Sequence, residues 1–267
     1  MGLEVVVTSV LLGWLTLCWL LRRWRAQYLE ATCQACLEKR REQRDPGKTE
    51  IANEPDVGSL GIDGVYGSAW RVHNLLMAGD LKFEAFLAMS ARGLFLTYGI
   101  PSISSVLQKT GGFSEDTSRR YADMELLIRE FCENAPDGCL HFDGQPDRAI
   151  KAIGRLNAIH DKYGSIILYR DMMYVLSVFM TTPFLLMESR WSWRRCTKAE
   201  KECIFFHWVD IGSLMGLRVE DNFSSLDDVV NYKYNYEKKH MRYAKSNEVV
   251  GHSTIDFFVN GTIWGKV

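Results

Sequence analysis

The 267-residue sequence predicts an all-α fold, a single-domain bundle of about seven or eight helices behind an N-terminal transmembrane helix. Three observations predict it. Apolar residues recur at helical spacing, capping signals stand where such stretches begin, and Ile166-Ile167-Leu168 is almost the sole strand-like run. The 6 Pro and 21 Gly follow no repeat, and aromatics make up 12%, so collagen-like, solenoid and disordered classes fall away. The 32 Lys and Arg against 33 Asp and Glu leave no basic excess for a phosphate backbone. No nucleic-acid partner is expected.

The first element is Leu3 to Leu21, apolar except for Glu4. As a helix it would reach about 28 Å, close to the hydrocarbon thickness of a bilayer. Arg22, Arg23 and Arg25 follow it, and no small-residue cleavage site does. That pattern reads as an uncleaved single-pass anchor with its basic flank in the cytosol, over residues 1–25, with the lipid bilayer as partner. The N-x-S/T acceptors at Asn222 and Asn260 then stay free of glycan. Seven scattered cysteines agree with a reducing compartment, and Cys33-Gln-Ala-Cys36 is a lone C-x-x-C with no second pair for zinc.

Residues 26–66 read as a charged stem and linker. Gln27 to Arg44 is a solvated helix, Asp45-Pro46-Gly47 ends it, and a polar loop runs on to about Gly67. Residues 67–267 form the all-α domain. Its helices are expected over Lys82–Thr97, over Ser118–Glu133 with Leu126, Leu127, Ile128 and Phe131 inward, and over Asp147–Tyr163. Asp137-Gly138 and Gly144-Gln145-Pro146 mark turns between the last two. Arg170–Glu188 is apolar almost all round and is read as the central buried helix, which Pro183 would kink or end. Thr197 with Glu200 is a capping box, and Ser225 with Asp228 is a weaker one before Val229–His240.

Commonplace catalytic motifs are missing: no G-x-S-x-G, Walker loop, H-E-x-x-H or G-x-G-x-x-G. The histidines draw notice instead. His160 continues the stripe of Ile153 and Leu156, so its imidazole faces inward. Two readings stay open on spacing alone. One is a core histidine bonded to a backbone carbonyl; the other is an axial ligand to haem iron, which needs a single imidazole in an apolar, helix-lined pocket. His207, within Phe205-Phe206-His207-Trp208, is placed similarly.

Longer stretches carry a resemblance. RLNAIHDKYG (Arg155–Gly164) precedes a D-M-x-Y helix from Asp171, then W-R-x-C-T-x-x-E through Glu200; RRYADMELLIREF (Arg119–Phe131) comes before them, YEKKHMRYAKSNEV (Tyr236–Val249) after. In this order, over about Trp70 to Phe258, they resemble the fungal ER-bound oxygenase family of the mpaB type, which shares its catalytic domain with bacterial latex-clearing rubber oxygenases. The resemblance implies an all-α haem b protein in the endoplasmic reticulum membrane. It would use dioxygen to cleave a carbon–carbon double bond in the isoprenoid chain of a prenylated secondary metabolite, a meroterpenoid. By position, His160 would be the proximal iron ligand and Arg120 the Arg of the distal-side helix; Arg119 and Arg120 could instead be haem-propionate clamps, or structural, in surface ion pairs with Asp116 or Asp123. Met124 stands where the family carries a distal Thr. The chain stops soon after its last recognisable helix, so a pocket wall short at its C-terminal side is expected. The alternative is a degenerate, membrane-anchored paralogue acting as a scaffold.

Overall fold

The computed structural model describes residues 3–44, 92–111, 117–133, 147–188 and 195–261. Among the described residues there are ten helices and no strand. In chain order they are α1 (Leu3–Arg44), α2 (residues 92–98), α3 (Pro101–Lys109), α4 (Thr117–Glu133), α5 (Asp147–Tyr163), α6 (Tyr169–Glu188), α7 (Lys198–Leu214), α8 (Val219–Asn222), α9 (Leu226–His240) and α10 (Lys245–Asp256). A 3-10 turn, Gly164–Ile166, joins α5 to α6, and a π turn, Phe257–Gly261, follows α10. The linker expected over residues 45–66, the start of the helix expected from Lys82, the turns at Asp137 and Gly144, and His73 and His141 lie outside the described residues.

Helices α6 and α7 form the centre. α9 lies along α6, α1 and α8 along α7, and α4 along α5, while α3 and α10 make a side layer. The main core joins Met173, Met180 and Phe184 of α6 to Cys203, Ile204 and Trp208 of α7 and to Ala152 and Ile153 of α5. Both capping signals work as read. Thr197 N–H donates to Glu200 at 2.8 Å while Glu200 N–H donates to the Thr197 hydroxyl, and Ser225 Oγ accepts from Asp228 N–H. Such caps contribute about 1 kcal/mol each.

Several expectations need correction. Among the described residues no helix is long and apolar enough to cross a membrane. The transmembrane reading of residues 1–25 is therefore not upheld. The stem is not a solvated rod either: Leu29, Cys33 and Leu37, four residues apart, are buried against α7. Cys33 belongs to this seam, where its carbonyl accepts from Cys203 Sγ at 3.7 Å. Pro183 does not end α6, which runs through it to Glu188. A mid-helix proline costs about 3 kcal/mol, and burial of Met180 and Phe184 beside it, roughly 1.5–3 kcal/mol each, offsets that. Leu126 is 59% exposed rather than inward, while Leu127 and Ile128 do pack on the core.

Candidate functional site

Three helix ends build a cleft of about 440 Å³ around His160. α5 supplies Asn157, His160 and Asp161 from its last two turns, because burying Ala149, Ala152 and Ile153 points the residues three and four further on toward α7. The start of α6 supplies Tyr169 and Met172. The end of α7 supplies Ser213, Leu214 and Met215, after which Gly216 at φ +76° turns the chain back. Leu217 N–H then donates to Gly212 O at 2.8 Å, closing the turn over the last carbonyls. Asn157 Nδ2 donates to Leu214 O at 2.9 Å and ties the wall carrying His160 to the opposite one.

The His160 imidazole has a pKa below its ordinary 6.5, first through burial and then through the Arg120 guanidinium, with Asp161 opposing both. It is neutral at pH 7, the form that binds a metal. Its Nδ1 is buried and has no hydrogen-bond partner among the described residues. An unmatched buried nitrogen costs about 1–3 kcal/mol, so such an atom is ordinarily satisfied by water, a ligand or an ion.

The structure brings Arg120 and His160 together, since α4 lies along α5 and the guanidinium acts on the imidazole. Arg119, its neighbour on α4, is exposed. Met124 goes elsewhere: it packs in a small cluster with Tyr98, Val250, Leu94 and Leu107 and does not line the cleft. Met124→Thr is therefore expected to destabilise the chain by about 1–3 kcal/mol, through an unpartnered hydroxyl in an apolar cluster; a thermal melt checks this. His207 is buried on α7, edge-on to Trp208 at 5.5 Å, and is also no part of the cleft wall.

No family model matches the chain, and no solved structure does. Curated relatives do. Over 170 residues, 58% of this chain, it is 32% identical to the ER-bound oxygenase mpaB of Penicillium brevicompactum, of which the match covers 41%. It is 31% identical over the same length to the ER-bound oxygenase mpaB of Penicillium roqueforti (strain FM164), covering 54% of that protein. Over that stretch the chain is similar to the mpaB oxygenases. It spans about two fifths to one half of their length. These findings support the mpaB-type likeness; the link to latex-clearing enzymes remains a reading of the motifs.

Among the described residues the donor set bears on which metal chemistry the chain suits. Among the described residues no three His, Cys, Asp or Glu side chains converge as a bare metal ion would require. Haem needs less, because the porphyrin supplies four ligands and the protein one. A single neutral imidazole fits that demand for one ligand, in a cleft walled by Ile167, Met172, Leu214, Met215 and Leu217 and, on its polar side, by Asn157, Asp161, Tyr169 and Ser213. Sequence reasoning missed Asn157 and the Gly212–Leu217 turn. The only signal for Asn157 was its place three residues before His160, on the same helix face.

Proposed function

We propose that the chain is a membrane-attached, haem-dependent oxygenase with His160 as the axial ligand of haem b. The observation that carries this reading is the neutral His160 imidazole, its Nδ1 unmatched, lining a cleft of mixed polarity in a relative of proteins named as oxygenases. When bound, haem supplies dioxygen activation for cleaving a carbon–carbon double bond. The chain's own residues do the remaining work. Burial and Arg120 keep the imidazole unprotonated, and Asn157 holds its helix against α7. Arg120, with Arg119 beside it, is suited to clamp carboxylates of the haem periphery by charge-assisted bonds. Met172, Leu214, Met215 and Leu217 exclude water and cover the isoprenoid chain of a prenylated small molecule.

The relatives are named ER-bound, and α1 offers this chain a means of attachment. Trp14, Leu17, Leu20, Leu21 and Trp24 stand exposed around its N-terminal half, with Arg22 and Arg23 next to them. Such a surface lodges in a bilayer from the cytosolic side of the endoplasmic reticulum, which shortens the search for a lipid-soluble substrate. The relatives' names favour the enzyme over the degenerate scaffold. The test is product analysis: haem-loaded chain, a prenylated phenol and isotopically labelled dioxygen. A carbonyl fragment carrying the label is expected. A folded, haem-loaded chain that leaves the prenyl chain whole contradicts the proposal.

A further inference from the structure

The D-M-x-Y helix and the Tyr236-Glu237 segment interlock where the cleft makes no use of them. Tyr236 Oη donates to the buried Asp171 carboxylate, and Tyr174 Oη donates to Glu237 Oε1 at 3.1 Å. The phenol rings stack in sequence. Tyr174 lies 4.9 Å from Tyr236 at 17°, and Tyr236 lies 5.7 Å from Tyr232 at 29°. Exposure rises along the stack from Tyr174 at 0% through Tyr236 at 7% to a half-buried Tyr232. Met172, next to Asp171 in the chain, lines the His160 cleft. The stack thus runs from the buried interior between α6 and α9 toward the surface.

We propose that this stack is a one-electron relay, in which Tyr236 holds the oxidised state and Asp171 takes its proton. A buried phenol resists oxidation unless its proton leaves with the electron, because the phenol radical cation is a strong acid that low dielectric cannot stabilise. A base within hydrogen-bond reach removes that obstacle, and the three phenols differ in the base they meet. Tyr232 donates to the Arg170 carbonyl, which cannot take up a proton. Tyr174 meets Glu237, whose carboxylate is already paired with Lys233 at 2.7 Å. Tyr236 meets Asp171. Burial raises the pKa of all three phenols, Tyr232 to about 12, so each stays protonated until it is oxidised.

The oxidant is an organic peroxyl radical, the stray product wherever dioxygen meets an unsaturated chain; its presence rests on the oxygenase reading. It accepts one electron from Tyr236 and one proton from water and becomes a hydroperoxide. The Tyr236 phenolic proton passes to Asp171, leaving a neutral phenoxyl radical and a neutral carboxylic acid. A surface reductant of the ascorbate class then returns one electron to Tyr236 across the Tyr232 ring, which is not itself oxidised, releasing its own proton to water, and Asp171 gives its proton back to Tyr236.

The experiment needs no haem. Photogenerated tris(bipyridine)ruthenium(III) oxidises the full chain, and electron paramagnetic resonance reads the frozen product. A tyrosyl signal is expected in the unaltered chain. In a Tyr243→Phe background, which removes the exposed phenol that donates to Glu248 Oε2 at 2.7 Å, it should fall several-fold both in Tyr236→Phe and in Asp171→Asn, which keeps an accepting oxygen but cannot take the proton. Deuterium oxide supplies a reading without any variant, because radical formation slows when a proton moves with the electron. In that background a tyrosyl signal undiminished by Tyr236→Phe, a tryptophan signal alone, or a rate unchanged in deuterium oxide overturns the relay. Failure of haem binding would remove the peroxyl source without touching this signal, so the two failures read differently.

Discussion

Leu29→Ala is expected to lower stability by about 2–5 kcal/mol, the usual cost of truncating a buried leucine. The reason lies in α1. Leu29 is fully buried, and with Cys33 and Leu37 it forms the seam that docks the charged stem on α7. Truncation leaves a void lined by α7 residues that their own packing holds in place. For a domain of this size each kcal/mol moves the melting temperature by about 2–4 °C, so a fall of roughly 4–20 °C is expected. Leu20→Ala supplies the contrast. Leu20 stands exposed on the same helix, and its truncation should stay within about 0.5 kcal/mol. Equal melting temperatures for the two variants would mean that the stem is solvated after all.

The second large effect concerns the turn that floors the cleft. A Cβ on Gly212 would stand 2.5 Å from Val219 Cγ2 and 2.8 Å from Leu176 Cδ2. Both neighbours are buried, so neither can swing into solvent. Alanine gains about 1 kcal/mol over glycine in a helix interior, but overlap of this kind in a packed core costs about 1–3 kcal/mol or more. With two branched side chains to displace, Gly212→Ala should lose about 2 kcal/mol net and melt roughly 4–8 °C lower. Gly251→Ala tests the logic with the opposite sign. Its Cβ meets nothing within 4 Å in α10, so up to about 1 kcal/mol of stabilisation is expected. Chemical melts of both variants decide it, and stabilisation of Gly212→Ala would show that α6, α7 and α8 do not pack so closely.

What could be read from residues alone divides along physical lines. Helices announce themselves by local means: the 3.6-residue period marked α4, α5 and α6, Thr197 marked the start of α7, and Ser225 caps α9, which begins at Leu226, three residues before the expected Val229. The inward aim of His160 followed from its stripe with Ile153 and Leu156. The docking of α1 did not show, because one apolar position in four, in a background of Glu, Lys and Arg, resembles a solvated helix. Short α8 and Gly-containing α10 lack both period and cap, which is why fewer helices were expected than are present. The cleft was illegible for a different reason. It is made where α5, α6 and α7 end, and the Asn157 bond to the Leu214 carbonyl exists only once two distant segments meet. The D-M-x-Y and Tyr236-Glu237 motifs were visible separately, but their hydrogen bonds across α6 and α9 were not.

The position of His160 at the cleft and the absence of a partner for its Nδ1 make it the residue on which the functional account turns. The direct measurement is an absorbance titration of the purified full chain with haem b, alongside His160→Ala and His207→Ala. The unaltered chain and His207→Ala should take up one equivalent and show the Soret band of an imidazole-ligated iron. His160→Ala, with helical content intact by circular dichroism, should bind more than about tenfold more weakly, a loss above about 1.4 kcal/mol, and lose that band. An unchanged band and affinity in His160→Ala, with loss in His207→Ala, would move the ligand to α7 and contradict the account.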